Sequence, residues 1–150
     1  MSGEVTVSRY AKILRALVAT ATLAMAAGCA QPTPDIAGAW YQIYFDTNSP
    51  AINKRGQIIV NDVAYIAANN GAMRVTVIGK TDRVGAPPDN MALSKRRADA
   101  VRNSLIAAGV PAARIDTSWT GEGRQEVATT DDVAEPRDRV VYVAVGNAAF

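Results

Sequence analysis

Between Ala39 and Val145 the spacing of apolar residues switches repeatedly between two periods, and that switching leaves few folds open. Ala39 to Asp46 carries Trp40, Tyr41, Ile43, Tyr44 and Phe45, the bulky content of a strand. Ile52, Ile59, Val63 and Ile66 then recur at helical spacing until Asn69-Asn70-Gly71 stops the run. Ser49-Pro50 ahead of them predicts an N-cap followed by the residue best suited to a first helical position. Met73, Val75 and Val77 alternate with Arg74, Thr76 and Ile78 up to Gly79, a second strand. Beyond Pro87-Pro88, with Asp89 or Asn90 placed to cap, Leu93, Ser94, Ala98, Val101 and Leu105 form one seam that closes at Gly109 with Pro111 beyond. Ile115 to Gly121 alternates as a third strand, and Val140 to Val145 reads as a buried one. The order strand, helix, strand, helix, strand, strand implies two crossovers that favour parallel pairing and then an antiparallel return. The expected domain, 39–148, is α+β, a mixed four-stranded sheet with its helices on one face.

Charge narrows the partners. Of the 16 basic and 14 acidic residues, Arg9, Lys12, Arg15 and Glu4 fall in the first 28 positions, so the rest of the chain holds 13 of each sign. A balanced body does not gather polyanions, and nucleic acid is not an expected partner; Lys95-Arg96-Arg97 with Arg102 reads as a solvated helix face. The chain has no histidine and one cysteine, which removes imidazole-activated nucleophiles, imidazole metal ligation and any internal disulfide. No metal or cofactor is expected.

The first residues read as an address. Arg9, Lys12 and Arg15 precede an apolar run from Ala16 to Gly28, the charged-then-hydrophobic order of a secretory signal. The run is shorter than the roughly 20 apolar residues of a membrane span. It ends in Ala26-Ala27-Gly28-Cys29, which resembles the lipobox of bacterial lipoproteins, with Ala26 where leucine is usual. The resemblance implies cleavage after residue 28 and lipidation of Cys29, and residues 29–38, with Gln31-Pro32-Thr33-Pro34-Asp35, form a tether. Acyl chains bury about 0.8 kcal/mol per methylene, enough to hold a soluble domain at a bilayer. Ala30 and Gln31 follow the cysteine with no aspartate, which by resemblance to enterobacterial sorting implies the outer membrane, periplasmic face.

Within the folded part five blocks occur in order: Tyr44-Phe45-Asp46-Thr47-Asn48-Ser49, Gly79-Lys80-Thr81-Asp82, Asn90-Met91-Ala92-Leu93-Ser94-Lys95-Arg96-Arg97-Ala98, Gly121-Glu122, and Arg139-Val140. Together they resemble the OmpA C-terminal-like domain shared by peptidoglycan-associated lipoproteins and flagellar stator subunits, over nearly all of Trp40 to Val145. The resemblance implies non-covalent binding of peptidoglycan through the diaminopimelate of its peptide stem, a zwitterionic amino-acid end held between an acid and an arginine. By motif position these are Asp82 and Arg97. The residue types suit the task, since a carboxylate receives an ammonium and a guanidinium takes a carboxylate through two parallel bonds. Helical spacing independently sets Arg97 beside the buried seam and Arg96 about 100 degrees away, toward water with Asp99 and Asn103. Asp46, Thr47 and Asn48 are expected to line the same pocket, or else only to make the turn. The family usually has histidine at Lys80 and Asn-Arg-Arg at Arg137-Asp138-Arg139, so Arg139 keeps one arginine while Asp138 reverses the charge of the other. Gly121-Glu122 reads as a strand-end turn with a bonded glutamate.

Other readings stay open on the residues alone. Asp82 and Arg97 pair with each other and merely tie loop to helix, or the domain is an adaptor for another envelope protein. A wall-cleaving glycosidase would need two facing carboxylates, for example Asp82 and Glu122, across a cleft that about 110 residues scarcely provide. The expected role is a tether between outer membrane and cell wall, not an enzyme.

Overall fold

A computed structural model of the chain describes residues 39–146. The signal segment, Cys29 and the tether lie outside them. Strand β1 (Ala39–Tyr44), helix α1 (Lys54–Asn69), β2 (Arg74–Gly79), α2 (Pro87–Ala107), β3 (Ile115–Trp119) and β4 (Val140–Gly146) follow in the expected order. The sheet runs β1-β4-β2-β3. β2 and β3 are parallel across the α2 crossover, and β4 returns antiparallel between β1 and β2. The last strand is therefore central, which explains its near-continuous burial from Val140 to Gly146.

Alternation along β2 decides which face is covered. Val75, Val77 and Gly79 are buried toward the helices, while Arg74, Thr76 and Ile78 are only partly covered on the other face. Ile43 and Phe45 of the β1 segment join Val141, Val143 and Val145 against Val60, Val63, Ala64 and Ala67 of α1 and Ala98, Val101 and Leu105 of α2 in one core. Burying a Val or Leu side chain contributes roughly 1.5–3 kcal/mol, so this seam supplies most of the drive to fold.

Both helix starts differ from expectation. The N-cap of α1 is Asn53, not Ser49: Asn53 Oδ1 accepts the Gly56 amide at 2.9 Å, while Ser49 Oγ accepts from Ala51 in a short turn. Close packing selects the later start. Gly56 lies under β1, where a Cβ would stand 2.8 Å from an Ile43 methyl and 2.9 Å from one of Ile52. At α2 the N-cap is Ala86 with no side-chain bond, and Pro87 and Pro88 occupy the first turn. Prolines lack the amides a cap would satisfy, so Asn90 is released for another use: its Nδ2 donates to Glu122 at 2.7 Å. β3 ends at Trp119, two residues before Gly121.

Candidate functional site

The site grows from the carboxyl end of β2 and the turn after β1. Phe45 continues the ladder by donating to the Arg139 carbonyl at 2.9 Å. The chain then turns through exposed Asp46, Thr47 and Asn48, with Asn48 in the left-handed region at φ 50°. On the other side Gly79-Lys80-Thr81-Asp82 leaves β2, and Thr81 donates to the Gly121 carbonyl at 2.9 Å. Ser94 of α2 fastens this corner, accepting the Gly121 amide at 3.0 Å and donating to the Met91 carbonyl at 2.8 Å.

Arg97 lies behind the site. It is wholly buried, and its fork donates Nε to Ser49 O at 3.0 Å, Nη1 to Lys80 O at 3.1 Å and Nη2 to Asp46 O at 2.9 Å. One side chain thus holds the β1 turn against the end of β2. The guanidinium also lies 5.2 Å from the centre of the Phe45 ring. Burial pulls its pKa down to about 10; Asp82 opposes that shift, and the nearby charges of Arg139 and Arg96 add to it. It stays charged at neutral pH.

Asp82 is paired, and not with Arg97. Its Oδ2 accepts from Arg139 Nη1 at 3.0 Å, while Arg139 Nε donates to Phe45 O at 3.1 Å. Both side chains are largely enclosed, at 12% exposure for Arg139 and 5% for Asp82. Asp138, the charge-reversed position, turns away from the site. It is fully buried and its Oδ1 accepts the amides of Glu126 at 2.6 Å and Val127 at 3.3 Å, so it orders the 125–127 segment. Lys80 also points elsewhere, to the uncovered face of the sheet, where Nζ meets Glu126 Oε1 at 3.0 Å.

Between these pieces opens a hollow of about 430 Å³. Thr47 and Asn48 form one lip, Asp82 and Val84 one wall, and Asp89, Asn90, Leu93 and Arg96 of α2 the other. The structure therefore brings Asp82, Thr47 and Asn48 to one cavity, and sets Arg97 and Arg139 behind its walls; of Asp46, the carbonyl serves Arg97. Arg96, expected to turn toward water, is exposed and also borders the hollow, and neither an ion pair nor a hydrogen bond engages its side chain among the described residues. Asp89 stands likewise at the mouth. Three arginines crowd one carboxylate here, a setting that attracts a ligand carboxylate while Asp82 and Asp89 suit an ammonium. Glu122 is bonded to Asn90 and is not part of the lining, so no second carboxylate faces Asp82 from that position. Among the described residues no three acidic, cysteine or histidine side chains gather closely enough to hold a metal ion, and no helix is long and apolar enough to cross a membrane.

The fold and its motif blocks can be set beside known proteins. The model of the OmpA family matches residues 44–139, which span the site from the end of β1 to Arg139. The chain belongs to the OmpA family. The peptidoglycan-associated lipoprotein of Haemophilus influenzae is 30% identical over 151 residues, covering 89% of this chain and 98% of that protein. Outer membrane protein A of Yersinia pseudotuberculosis is 40% identical over 67 residues, 45% of this chain. The chain spans only 19% of the length of that protein, and 30% of a related outer membrane protein of Gluconacetobacter diazotrophicus. Among solved structures, the peptidoglycan-associated lipoprotein of Burkholderia pseudomallei superposes with a TM-score of 0.65 at 24% identity, over 69% of this chain and 88% of that one. The periplasmic domain of Helicobacter pylori MotB gives 0.62 at 19% identity, over 75% and 78%. These two show a shared fold.

Proposed function

We propose that this OmpA-family chain is a non-catalytic tether between outer membrane and cell wall, whose hollow takes the zwitterionic end of diaminopimelate from a peptidoglycan stem. One observation carries the reading: Asp82 and Arg96 border the same cavity, of opposite charge and unbonded to each other, with Asp82 Oδ1 still unengaged. The ligand ammonium meets Asp82 and Asp89, and its carboxylate meets Arg96. Arg97 and Arg139 then act from behind, as the frame that holds the turn and the carboxylate in place. The name of the Haemophilus relative, which the chain matches over nearly its whole length, supports the same assignment.

Charge-assisted hydrogen bonds contribute roughly 1.5–3 kcal/mol each, so the few available here give about micromolar affinity for one stem. A wall presents the stem repeatedly and a lipid anchor confines the domain beside it, so effective concentration makes up for weak single contacts. In a sedimentation assay with purified sacculi the wild-type chain pellets with the wall, while Asp82→Asn and Arg96→Ala each lose it by about tenfold in affinity, the scale of one charged contact. Both variants pelleting as the wild type does would end the assignment.

The anchor belongs to the same proposal. Cys29 carries the lipid and residues 30–38 span from bilayer to domain. Cells fed a labelled fatty acid yield labelled wild-type protein and unlabelled Cys29→Ser; an unlabelled wild type refutes the anchor and leaves the wall site standing.

A further inference from the structure

The sheet face away from the helices carries a second hollow, of about 460 Å³, that the stem site does not use. Its floor is aromatic. Trp40 and Tyr142 meet edge to face with ring centres 6.2 Å apart, and Lys80 Nζ lies 5.1 Å from the Tyr142 ring centre. Around the rings runs a polar rim of Gln42, Thr120, Arg124 and Glu126. Much of it is already braced: Glu126 takes the Lys80 ammonium at 3.0 Å and bonds the Tyr142 hydroxyl, whose pKa is driven upward by burial and by that carboxylate. Arg124 is the exception. It is held in the left-handed region at φ 55°, borders the hollow, and no hydrogen bond or ion pair engages it among the described residues. Non-glycine residues kept in that region are strained and gather at binding sites.

The lining selects a chemical class. A purely apolar ligand would strip water from five polar or charged side chains without replacing their bonds. A cation would meet Lys80 and Arg124 against the single carboxylate of Glu126. A pyranose ring suits both layers, with a C–H face to lie on the half-exposed Trp40 ring, its edge toward Tyr142, and equatorial hydroxyl and acetamide groups for the rim. The volume is in the range of small-ligand sites, about 300–1,000 Å³.

Position says which saccharide. Lys80 lines this hollow and Asp82 lines the stem hollow, and two residues of chain separate their Cα atoms by no more than about 7 Å. The two hollows are thus set at neighbouring positions of one short segment, near enough for parts of one wall fragment to reach both. We propose that the Trp40–Tyr142 hollow is a saccharide subsite that takes N-acetylhexosamine rings of the glycan strand. It rests on the wall-binding reading for the source of the sugar, though not for the binding itself.

Isothermal titration of the purified full-length chain in detergent separates the two readings, with chitotetraose as the sugar probe and the L-alanyl-γ-D-glutamyl-diaminopimelate tripeptide as the stem probe. Chitotetraose binds the wild type and Asp82→Asn equally, and Trp40→Ala and Arg124→Ala each weaken it roughly tenfold, the scale of a lost ring contact or charged bond. The tripeptide shows the converse dependence. Chitotetraose without measurable heat at about 5 mM, where weak sites fill, overturns the subsite, as does binding unchanged in both Trp40→Ala and Arg124→Ala. Tripeptide binding alone then leaves the stem reading intact, whereas sugar binding alone, with the stated variants, upholds the subsite and removes the stem reading.

Discussion

Arg97→Ala lowers the stability of the domain by about 4 kcal/mol, the range of a broken buried charge network. The side chain makes three charge-assisted bonds, to the carbonyls of Asp46, Ser49 and Lys80, and is wholly enclosed. Opposing these is the burial of its charge, visible as a pKa drawn down to about 10. The bonds prevail, because truncation restores no solvent to the carbonyls and leaves both unsatisfied acceptors and a cavity. At roughly 4–8 °C per kcal/mol for a domain of about this size, the melting temperature falls by some 15–30 °C. Arg97→Lys recovers less than half, since a single ammonium cannot span three carbonyls from two segments. Arg96→Ala, one residue earlier and exposed, stays within about 0.5 kcal/mol of the wild type. Thermal unfolding followed by circular dichroism ranks the three, and an Arg97→Ala transition within a few degrees of the wild type would remove the framing role.

That contrast bears on how the motif works. An arginine at this position, found by loss of ligand binding on substitution, would be counted as a ligand contact, yet its donors here are directed into backbone. Asp82 and Arg97 do not pair; Arg139 stands between the carboxylate and the β1 segment instead, bonding Asp82 with one nitrogen and Phe45 O with another. The site is thus a charged rim on a rigid charged frame, and the two layers separate experimentally, one by affinity and the other by stability.

Much of this was readable beforehand, and the exceptions have a common cause. The element order, the mixed sheet and the core seam follow from periodicity, because burial on one face imposes a repeat on the chain itself. Arg97 was placed beside the seam by the same repeat, and it is buried. What periodicity does not carry is the identity of partners distant in the chain: the three carbonyls of Arg97 lie 48, 17 and 51 residues away. Arg96 turns from the core as helical spacing requires, but that spacing does not show that the β2–α2 loop closes a hollow beside it. Ser49 and Asn53 are both capping types, and the choice between them rests on how closely Gly56 approaches Ile43. The reversed charge of Asp138 is plain in the sequence, but its partners are not: its Oδ1 accepts the Glu126 and Val127 amides inside the protein.

Gly79→Ala is the sharper structural test, because it adds only one methyl. Gly79 closes β2 where α2 crosses nearest, and an added Cβ would overlap the Ser94 carbonyl oxygen and stand 3.1 Å from the Ala98 Cβ. The carbonyl belongs to helical backbone, so relief requires α2 to move bodily off the sheet. That displacement would open the packing of Ala98, Val101 and Leu105 and carry Ser94 away from the Gly121 amide it accepts at 3.0 Å. Overpacking of this kind costs typically 1–3 kcal/mol where side chains can adjust; with backbone as the obstacle the expected loss is about 4 kcal/mol or more. A second substitution identifies the obstacle. Ala98→Gly removes the methyl contact and leaves the carbonyl, so Gly79→Ala/Ala98→Gly is no more stable than Gly79→Ala and falls below it by about 1 kcal/mol, the cost of glycine inside a helix, and denaturant midpoints report it. Rescue by Ala98→Gly would mean that the side chain, not the backbone, limits the approach, and that the closeness of β2 to α2 is not what sets Arg97 within reach of Lys80 O.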